Sequence, residues 1–177
     1  SLLTDTTGYG SRLYAKDAKL KKLYSPNTDP EYYWEYWDNE DGSFTVHWGR
    51  LGTKGESQIV RGSLLRSASA KVEKLESKYI SKGYQEIDIE DHAVLMIEYK
   101  VDGFGNEDDL AKRHALQDLT DEILGWHGLG FCDGGSIGSG TMEVCCFVVN
   151  FSLALDELSD RLGDTEFSDY HRIYEDV

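Results

Sequence analysis

The sequence predicts an α+β protein of two domains: an antiparallel sheet with one helix at 11–90, then a domain of order βαββαβ at 91–177. Strand-like alternation of apolar and polar residues dominates the first 62 positions, and apolar residues at helical spacing follow it. Charge differs between the halves as well. Residues 1–90 hold 13 Lys/Arg and 14 Asp/Glu, a net of −1, whereas residues 91–177 hold 5 and 19, a net of −14.

The composition is that of a folded, intracellular protein. Of the 177 residues, 40% are hydrophobic and 12% are aromatic, and the two prolines argue against a disordered chain. Three cysteines, with Cys145 and Cys146 adjacent, do not form a disulfide framework and favour a reducing compartment. No apolar run reaches the roughly 20 residues that span a bilayer, and Ser1–Asp5 show no signal-peptide pattern. We therefore expect a cytoplasmic protein without a membrane segment.

A β-hairpin is predicted near the centre of the first domain. The run 32–37 is aromatic on both faces of a strand, and residues 38–42 have the composition of a hairpin loop. The return strand 43–48 has one apolar face, formed by Phe44, Val46 and Trp48.

A glycine turn at 51–55, a strand at 57–61 and one helix complete this domain. The helix has an apolar stripe at spacings of three and four residues, formed by Leu65, Ala68, Val72, Leu75 and Tyr79. It ends at Lys82 and Gly83, a cation and a glycine typical of a helix C-terminus. We expect a fragment that ends around Asp88 to fold alone.

The segment His47–Gly55 (HWGRLGTKG) resembles the signature of WGR domains, Trp-Gly-Arg-aliphatic-Gly-Thr-x-Gly. The aromatic strand Tyr33–Tyr36 before it resembles the family too, as does the helix after it with its Lys-Gly-Tyr exit at Lys82–Tyr84. The resemblance covers about residues 12–88. The relatives that this segment resembles include the WGR domains of DNA-dependent poly(ADP-ribose) polymerases and of bacterial molybdate-regulator-like proteins.

The resemblance implies a nucleic-acid site at Trp48, Gly49 and Arg50, because the Trp and Arg of the polymerase motif lie at a DNA strand end. An indole stacks on an exposed sugar or base, and a guanidinium binds phosphate through two hydrogen bonds. Gly49 would let the ligand approach the backbone, and Lys54 and Arg61 would add cationic contacts. The alternative is structural: Trp48 packs on the sheet and Arg50 bonds a loop carbonyl.

The chain departs from the polymerase pattern before the first aromatic strand. Those relatives carry Asn-Lys there, whereas this chain has Asp29-Pro30-Glu31, and two carboxylates oppose phosphate binding. The other nearby cations are Lys19, Lys21 and Lys22. We therefore expect weak binding unless the strand end itself supplies specificity.

The second domain is predicted as strand 92–101, a helix, strand 131–137, strand 142–149, a short helix and strand 170–174. The first helix has a buried stripe, formed by Leu116, Leu119, Ile123 and Trp126. The second helix has another, formed by Leu155, Leu158 and Leu162. This order matches a ferredoxin-like fold. Strand 142–149 is apolar on both faces, so we expect the helices on one face. We expect another surface on the other face, preferably the first domain, otherwise a second copy or a partner.

We find no catalytic or metal motif. The glycine-rich turn at 134–140 lacks the Lys-Ser/Thr ending of a phosphate loop. The cysteines and histidines have no metal-ligand spacing, so we expect buried, inert thiols and neither metal nor cofactor. The acids at 107–109 suit the start of a helix dipole. We therefore expect a protein that is not an enzyme.

Two functions stay open. The first is a DNA-binding module that recognises ends or nicks through the first half, with the acidic half contacting another protein. The second is a protein–protein module, such as an immunity-type or antitoxin-type inhibitor that blocks a basic enzyme through residues 91–177.

Overall fold

The computed structural model describes residues 20–177. Contacts divide these residues into two compact units: residues 20–87 with Trp126–Gly128, and residues 88–125 with 129–177. Each unit combines one antiparallel sheet with helix, as the sequence predicts. The predicted boundaries at 11–90 and 91–177 stay a prediction, and residues 11–19 lie outside the described part of the chain. No helix among residues 20–177 has the length and apolar character that crossing a membrane requires.

The first unit contains a four-stranded sheet in chain order, in which every neighbouring pair is antiparallel. Its strands are β1 (Lys21–Tyr24), β2 (Tyr32–Asp38), β3 (Phe44–Arg50) and β4 (Glu56–Val60). The predicted hairpin is β2 and β3, and it places Trp34 opposite Trp48. Because successive side chains of a strand point to opposite faces of a sheet, those of β3 alternate between the two faces of this sheet.

One face of this sheet packs against helix α1 (Ala68–Ser81). Ser67 caps its start by accepting a hydrogen bond from the Ala70 N–H, and Gly83 follows its end with φ of +88°. The core between sheet and helix is formed by Leu23, Trp34, Val46 and Val72. Leu65 was wrongly predicted on the helix stripe. It precedes the Ser67 cap and is fully exposed.

The second unit has the predicted element order βαββαβ, and its strands pair in the order β6-β7-β5-β8, all antiparallel. Its elements are β5 (Ala93–Lys100), α2 (Glu107–Trp126), β6 (Gly130–Gly138), β7 (Thr141–Val148), α3 (Phe151–Gly163) and β8 (Arg172–Asp176). A short 3-10 helix, Ile89–Asp91, precedes them.

The predicted glycine turn at 134–140 is mostly strand. β6 continues to Gly138, with an irregularity in its pairing between Cys132 and Gly135. A Cβ on Gly135 would lie 2.2 Å from the main-chain oxygen of Glu143, so glycine here permits close strand approach.

The two faces of β7 differ in burial. Alternate residues of one face are fully buried, namely Met142, Val144, Cys146 and Val148. The fully buried helix residues include Leu116, Ile123, Ala154, Leu158 and Leu162. On the other face Cys145 and Phe147 are half-buried, and Phe131 of β6 is 37% exposed. This face is only partly covered, and the surface expected to cover it stays a prediction.

Candidate nucleic-acid interface

The motif Trp48-Gly49-Arg50 forms the end of β3. Arg50 is exposed, and within residues 20–177 its guanidinium has no hydrogen-bond or ion-pair partner. Tyr32 lies opposite it on β2 and is 45% exposed. An unpaired guanidinium beside a partly exposed phenol can bind a phosphate and present an aromatic face at the same place.

Trp48 has the structural role that the sequence left open as an alternative. It is half-buried and packs against the core between the sheet and α1. Trp34 lies opposite it on β2. Most of the indole is therefore committed to the core, although part of it stays accessible.

Gly49, predicted to let a ligand approach the backbone, is closely surrounded by other residues of the first unit. A Cβ at this position would lie 2.7 Å from Gly55 Cα and 3.0 Å from the Tyr33 hydroxyl. The space beside Gly49 is thus filled by the protein itself rather than left open to a ligand. Gly55, at φ of +64°, likewise approaches the Trp48 carbonyl, so both glycines allow the loop to fold back on β3.

The loop 51–55 carries Lys54 and is tied down at several points. The Thr53 N–H and hydroxyl both donate to the Arg50 carbonyl, at 3.0 and 2.7 Å. The Leu51 N–H donates to the Glu31 carbonyl at 2.8 Å. Lys54 is exposed, and its chain position places it in the same short loop that begins at Arg50. The loop that begins at Arg50 is therefore an ordered turn, and the ammonium group of its Lys54 lies 5.8 Å from the centroid of the Trp126 ring.

Arg61 is exposed but lies elsewhere. It follows Val60, which pairs with Phe44 at the opposite end of β3 from Arg50. Six residues of strand separate these ends, which is about 20 Å at the rise of an antiparallel strand. Arg61 and Arg50 could contact one long ligand, but they do not form one local site.

The remaining cations near the sheet are paired with carboxylates. Lys21 lies 2.8 Å from Glu86, and Lys22 lies 3.2 Å from Glu35. Lys19 lies outside the described residues. Among the described residues, Arg50 is therefore the cation of the motif that has no carboxylate partner.

The segment that carries this site is similar to a known domain family. Residues 18–91 match the family model of the WGR domain. This segment is a WGR domain. The match covers less than half of the 177 residues, and no curated protein or solved structure matches the chain. The WGR domain is in general a non-catalytic, nucleic-acid-binding module.

A buried polar cluster, which the sequence analysis does not predict, lies beneath the loop 51–55, called the WGR loop below. His47 Nδ1 lies 2.7 Å from Glu35 Oε1, and His47 Nε2 lies 2.6 Å from the Lys54 carbonyl oxygen. The Tyr33 hydroxyl donates to the Thr53 carbonyl at 2.8 Å and lies 3.1 Å from His47 Nε2. Strand alternation could have found it, because Tyr33, Glu35 and His47 all occupy the face of the hairpin opposite Trp48.

An aromatic wall closes this cluster. The indole of Trp126 lies edge-on to Trp37 and to His47, with ring centroids 5.8 and 4.8 Å apart. The Gly52 N–H donates to the His127 carbonyl at 2.9 Å, and the Tyr24 hydroxyl donates to the Gly128 carbonyl at 3.0 Å. Trp126 was predicted on the buried stripe of its helix. It is buried, but its contacts belong to the WGR unit.

The second unit has its own ion-pair cluster, in which the buried Glu98 lies 3.0 Å from Arg172 and 3.3 Å from Lys100. Among residues 20–177 no group of three or more His, Cys, Asp or Glu side chains is placed to hold a metal ion. Its three cysteines form no disulfide, and Cys145 is half-buried rather than buried as predicted. Burial raises the pKa of the Cys145 thiol, which disfavours the reactive thiolate.

Proposed function

We propose that the WGR unit binds the end or nick of a DNA strand through the turn that presents Arg50 and Lys54. The supporting observation is the exposed Arg50 guanidinium, which has no partner among the described residues, beside the partly exposed Tyr32. A terminal phosphate offers the paired oxygens that a guanidinium binds. The ring of Tyr32 or the accessible part of Trp48 would then lie against the terminal sugar or base.

The charge of the WGR unit supports a weak, end-directed contact rather than binding along a duplex. Residues 50–82 hold eight Lys/Arg and three Asp/Glu, whereas residues 29–41 hold six Asp/Glu and no cation. Non-specific affinity rises with the number of phosphates neutralised. Arg50 and Lys54 supply few such contacts, so affinity should depend on the structure of the strand end.

The test compares the full chain on a 5′-phosphorylated nicked duplex and on the same duplex intact, at two salt concentrations. Arg50→Ala should weaken binding to the nicked duplex by about 1–3 kcal/mol, the size of a charge-assisted hydrogen bond left unmade. Lys54→Ala should have a smaller effect and reduce the salt dependence. Arg161→Ala on α3 removes the same charge from the second unit and serves as the control. Equal affinity of wild type and Arg50→Ala would refute the proposal.

We further propose that the second unit is a ferredoxin-like fold with a binding role and no catalysis. Its strand order and its all-antiparallel pairing support the fold. The net charge of −14 over residues 91–177 supports a basic protein as the partner, because opposite charge speeds encounter and orients the complex.

One observation favours the protein–protein role as a second candidate function of the whole chain. The outer face of the second sheet includes apolar side chains and is only partly covered, and Phe131 and Phe147 pack together on it with ring centroids 5.6 Å apart. An apolar centre within an acidic surface suits an inhibitor of a basic enzyme.

Binding of a basic probe protein such as lysozyme tests this role. Phe131→Ala should weaken binding, whereas Phe104→Ala, on an equally large side chain that is 83% exposed, should not. If the affinity for the probe depends on salt and neither variant changes it, the contact rests on non-specific charge attraction. The protein–protein role is then refuted.

A further inference from the structure

The hydrogen bonds of His47 determine where its protons lie. The Lys54 carbonyl oxygen is an acceptor only, so the 2.6 Å contact requires a hydrogen on Nε2. The 2.7 Å contact between Nδ1 and Glu35 Oε1 requires one shared proton, either on the imidazole or on the carboxyl. Lys22 Nζ, 3.2 Å from Glu35 Oε2, favours the charged carboxylate. Both ring nitrogens of His47 then carry a hydrogen.

From this we infer that His47 is a doubly protonated positioning residue that ties the WGR loop to the sheet, with Glu35 holding its ring. The inference rests on the proposed function, because the loop it positions is the one that begins at Arg50 and carries Lys54. Neither His47 nor Glu35 touches the nucleic acid. They act through the Lys54 carbonyl.

The surroundings strengthen this tie. Glu35 and His47 are fully buried, and Trp37 and Trp126 lie against the imidazole, so water competes little for its hydrogen bonds. A charged donor in such a place makes a stronger bond than a neutral one.

A second tie acts beside the first. The Tyr33 hydroxyl donates to the Thr53 carbonyl at 2.8 Å, and it lies between His47 and the close approach of Gly49 to Gly55. Loss of the His47 bond should therefore loosen the loop at Thr53 and Lys54 without detaching it, because the Thr53 carbonyl keeps its partner. The expected defect is local.

Two substitutions of His47 separate its two hydrogen bonds. In His47→Gln the side-chain amide reaches the place of Nε2 and keeps a donor for the Lys54 carbonyl. In His47→Asn the shorter amide lies near the place of Nδ1 and keeps a donor for Glu35 only. Both variants remove the ring and its charge, so a purely space-filling role for His47 predicts similar defects in the two.

The first measurement uses nitrogen-15 NMR of the full wild-type chain without DNA at neutral pH. Both ring nitrogens of His47 should show a bound hydrogen that exchanges slowly with water. A ring with hydrogen on Nε2 alone would overturn the inference, because the shared proton would then lie on Glu35. This readout needs no variant to fold.

The second measurement compares the variants. In His47→Asn we expect at least about tenfold weaker binding to the nicked duplex than in His47→Gln, the loss of one charge-assisted contact held through the loop. We also expect faster hydrogen exchange at the Thr53 amide, which bonds the Arg50 carbonyl in the wild type. Equal affinity and equal exchange in the two variants would overturn the inference. If wild type does not bind the nicked duplex, the proposed function fails, while the NMR and exchange results still decide the role of His47.

Discussion

Replacement of Gly128 by alanine tests whether the segment 126–128 is part of the WGR unit in solution. Gly128 has φ of +68°, and a Cβ there would lie 2.2 Å from the Tyr33 ring. The Tyr33 ring cannot simply turn aside, because it is 1% exposed and its hydroxyl is bonded to the Thr53 carbonyl. The methyl group must therefore displace the segment 126–128, the Tyr33 ring or both.

Two effects set the magnitude. An L-residue in the left-handed region costs roughly 1–2 kcal/mol, and overpacking a well-filled core typically costs about 1–3 kcal/mol more. The free energy of unfolding of the WGR unit should thus fall by roughly 2–5 kcal/mol, the sum of these two effects. Gly42→Ala is the matched control. Gly42 also has a positive φ, +83°, but a Cβ there meets nothing within 4 Å, so only the first effect applies.

Denaturant unfolding followed by tryptophan fluorescence measures this change in the right unit. All four tryptophans belong to the WGR unit, namely Trp34, Trp37, Trp48 and Trp126. Gly128→Ala should lower the transition midpoint clearly more than Gly42→Ala does. If the two variants are equally destabilised, the Gly128 backbone does not pack on Tyr33 and the contacts described for Trp126–Gly128 are refuted.

Three further predictions concern charge and titration. Glu31→Gln should raise affinity for a nicked duplex by about two- to fivefold at low salt, because a carboxylate next to Leu51 and the loop opposes phosphate; unchanged affinity would place the ligand elsewhere. Burial, and then the hydrogen bond to Glu76, raise the pKa of Tyr36 to about 12, so this phenol should stay protonated at pH 11 in an ultraviolet titration. The protonated phenol of Tyr36 stabilises the folded state below pH 10, and this stabilisation is lost as the pH rises towards 12. Tyr36→Phe should therefore reduce the fall in the free energy of unfolding over this pH range. Cys145, whose pKa burial raises, should be alkylated at pH 8 more slowly than a free thiol; a rate equal to that of the free thiol would contradict this.

Much of the WGR unit could be predicted because its signals are local. Alternation over 32–37 and 43–48 fixes two strands, the loop 38–42 fixes their antiparallel register, and the cap residues bound the helix that follows. Leu65 was placed wrongly because it continues the helical spacing, whereas the Ser67 cap starts the helix after it. Apolar spacing therefore predicts which face of a helix is buried better than it predicts where the helix begins or ends.

The tertiary partners of Trp126 could not be predicted. Helical spacing identified it as buried, but spacing does not say which surface covers an indole. Its partners Trp37 and His47 lie about eighty to ninety positions earlier, and no local signal links such distant residues. The fragment ending around Asp88, predicted to fold alone, would lack this indole. It should expose Trp37 to solvent and unfold at lower denaturant than the full chain.

The residues of the WGR motif differ in burial: some shape the loop, and others remain accessible to a ligand. Trp48 is committed to the core, and Gly49 and Gly55 let the loop pack on Tyr33 and β3. Arg50 and Lys54, in contrast, are exposed. A match to the motif therefore establishes that the turn is present, whereas nucleic-acid affinity depends on residues that the motif does not specify. Under the proposed function, the Glu31 carboxylate would oppose a phosphate at Arg50, and the hydrogen bonds of His47 would hold the turn that begins there. These two residues, rather than the motif itself, would then decide how tightly a strand end is held.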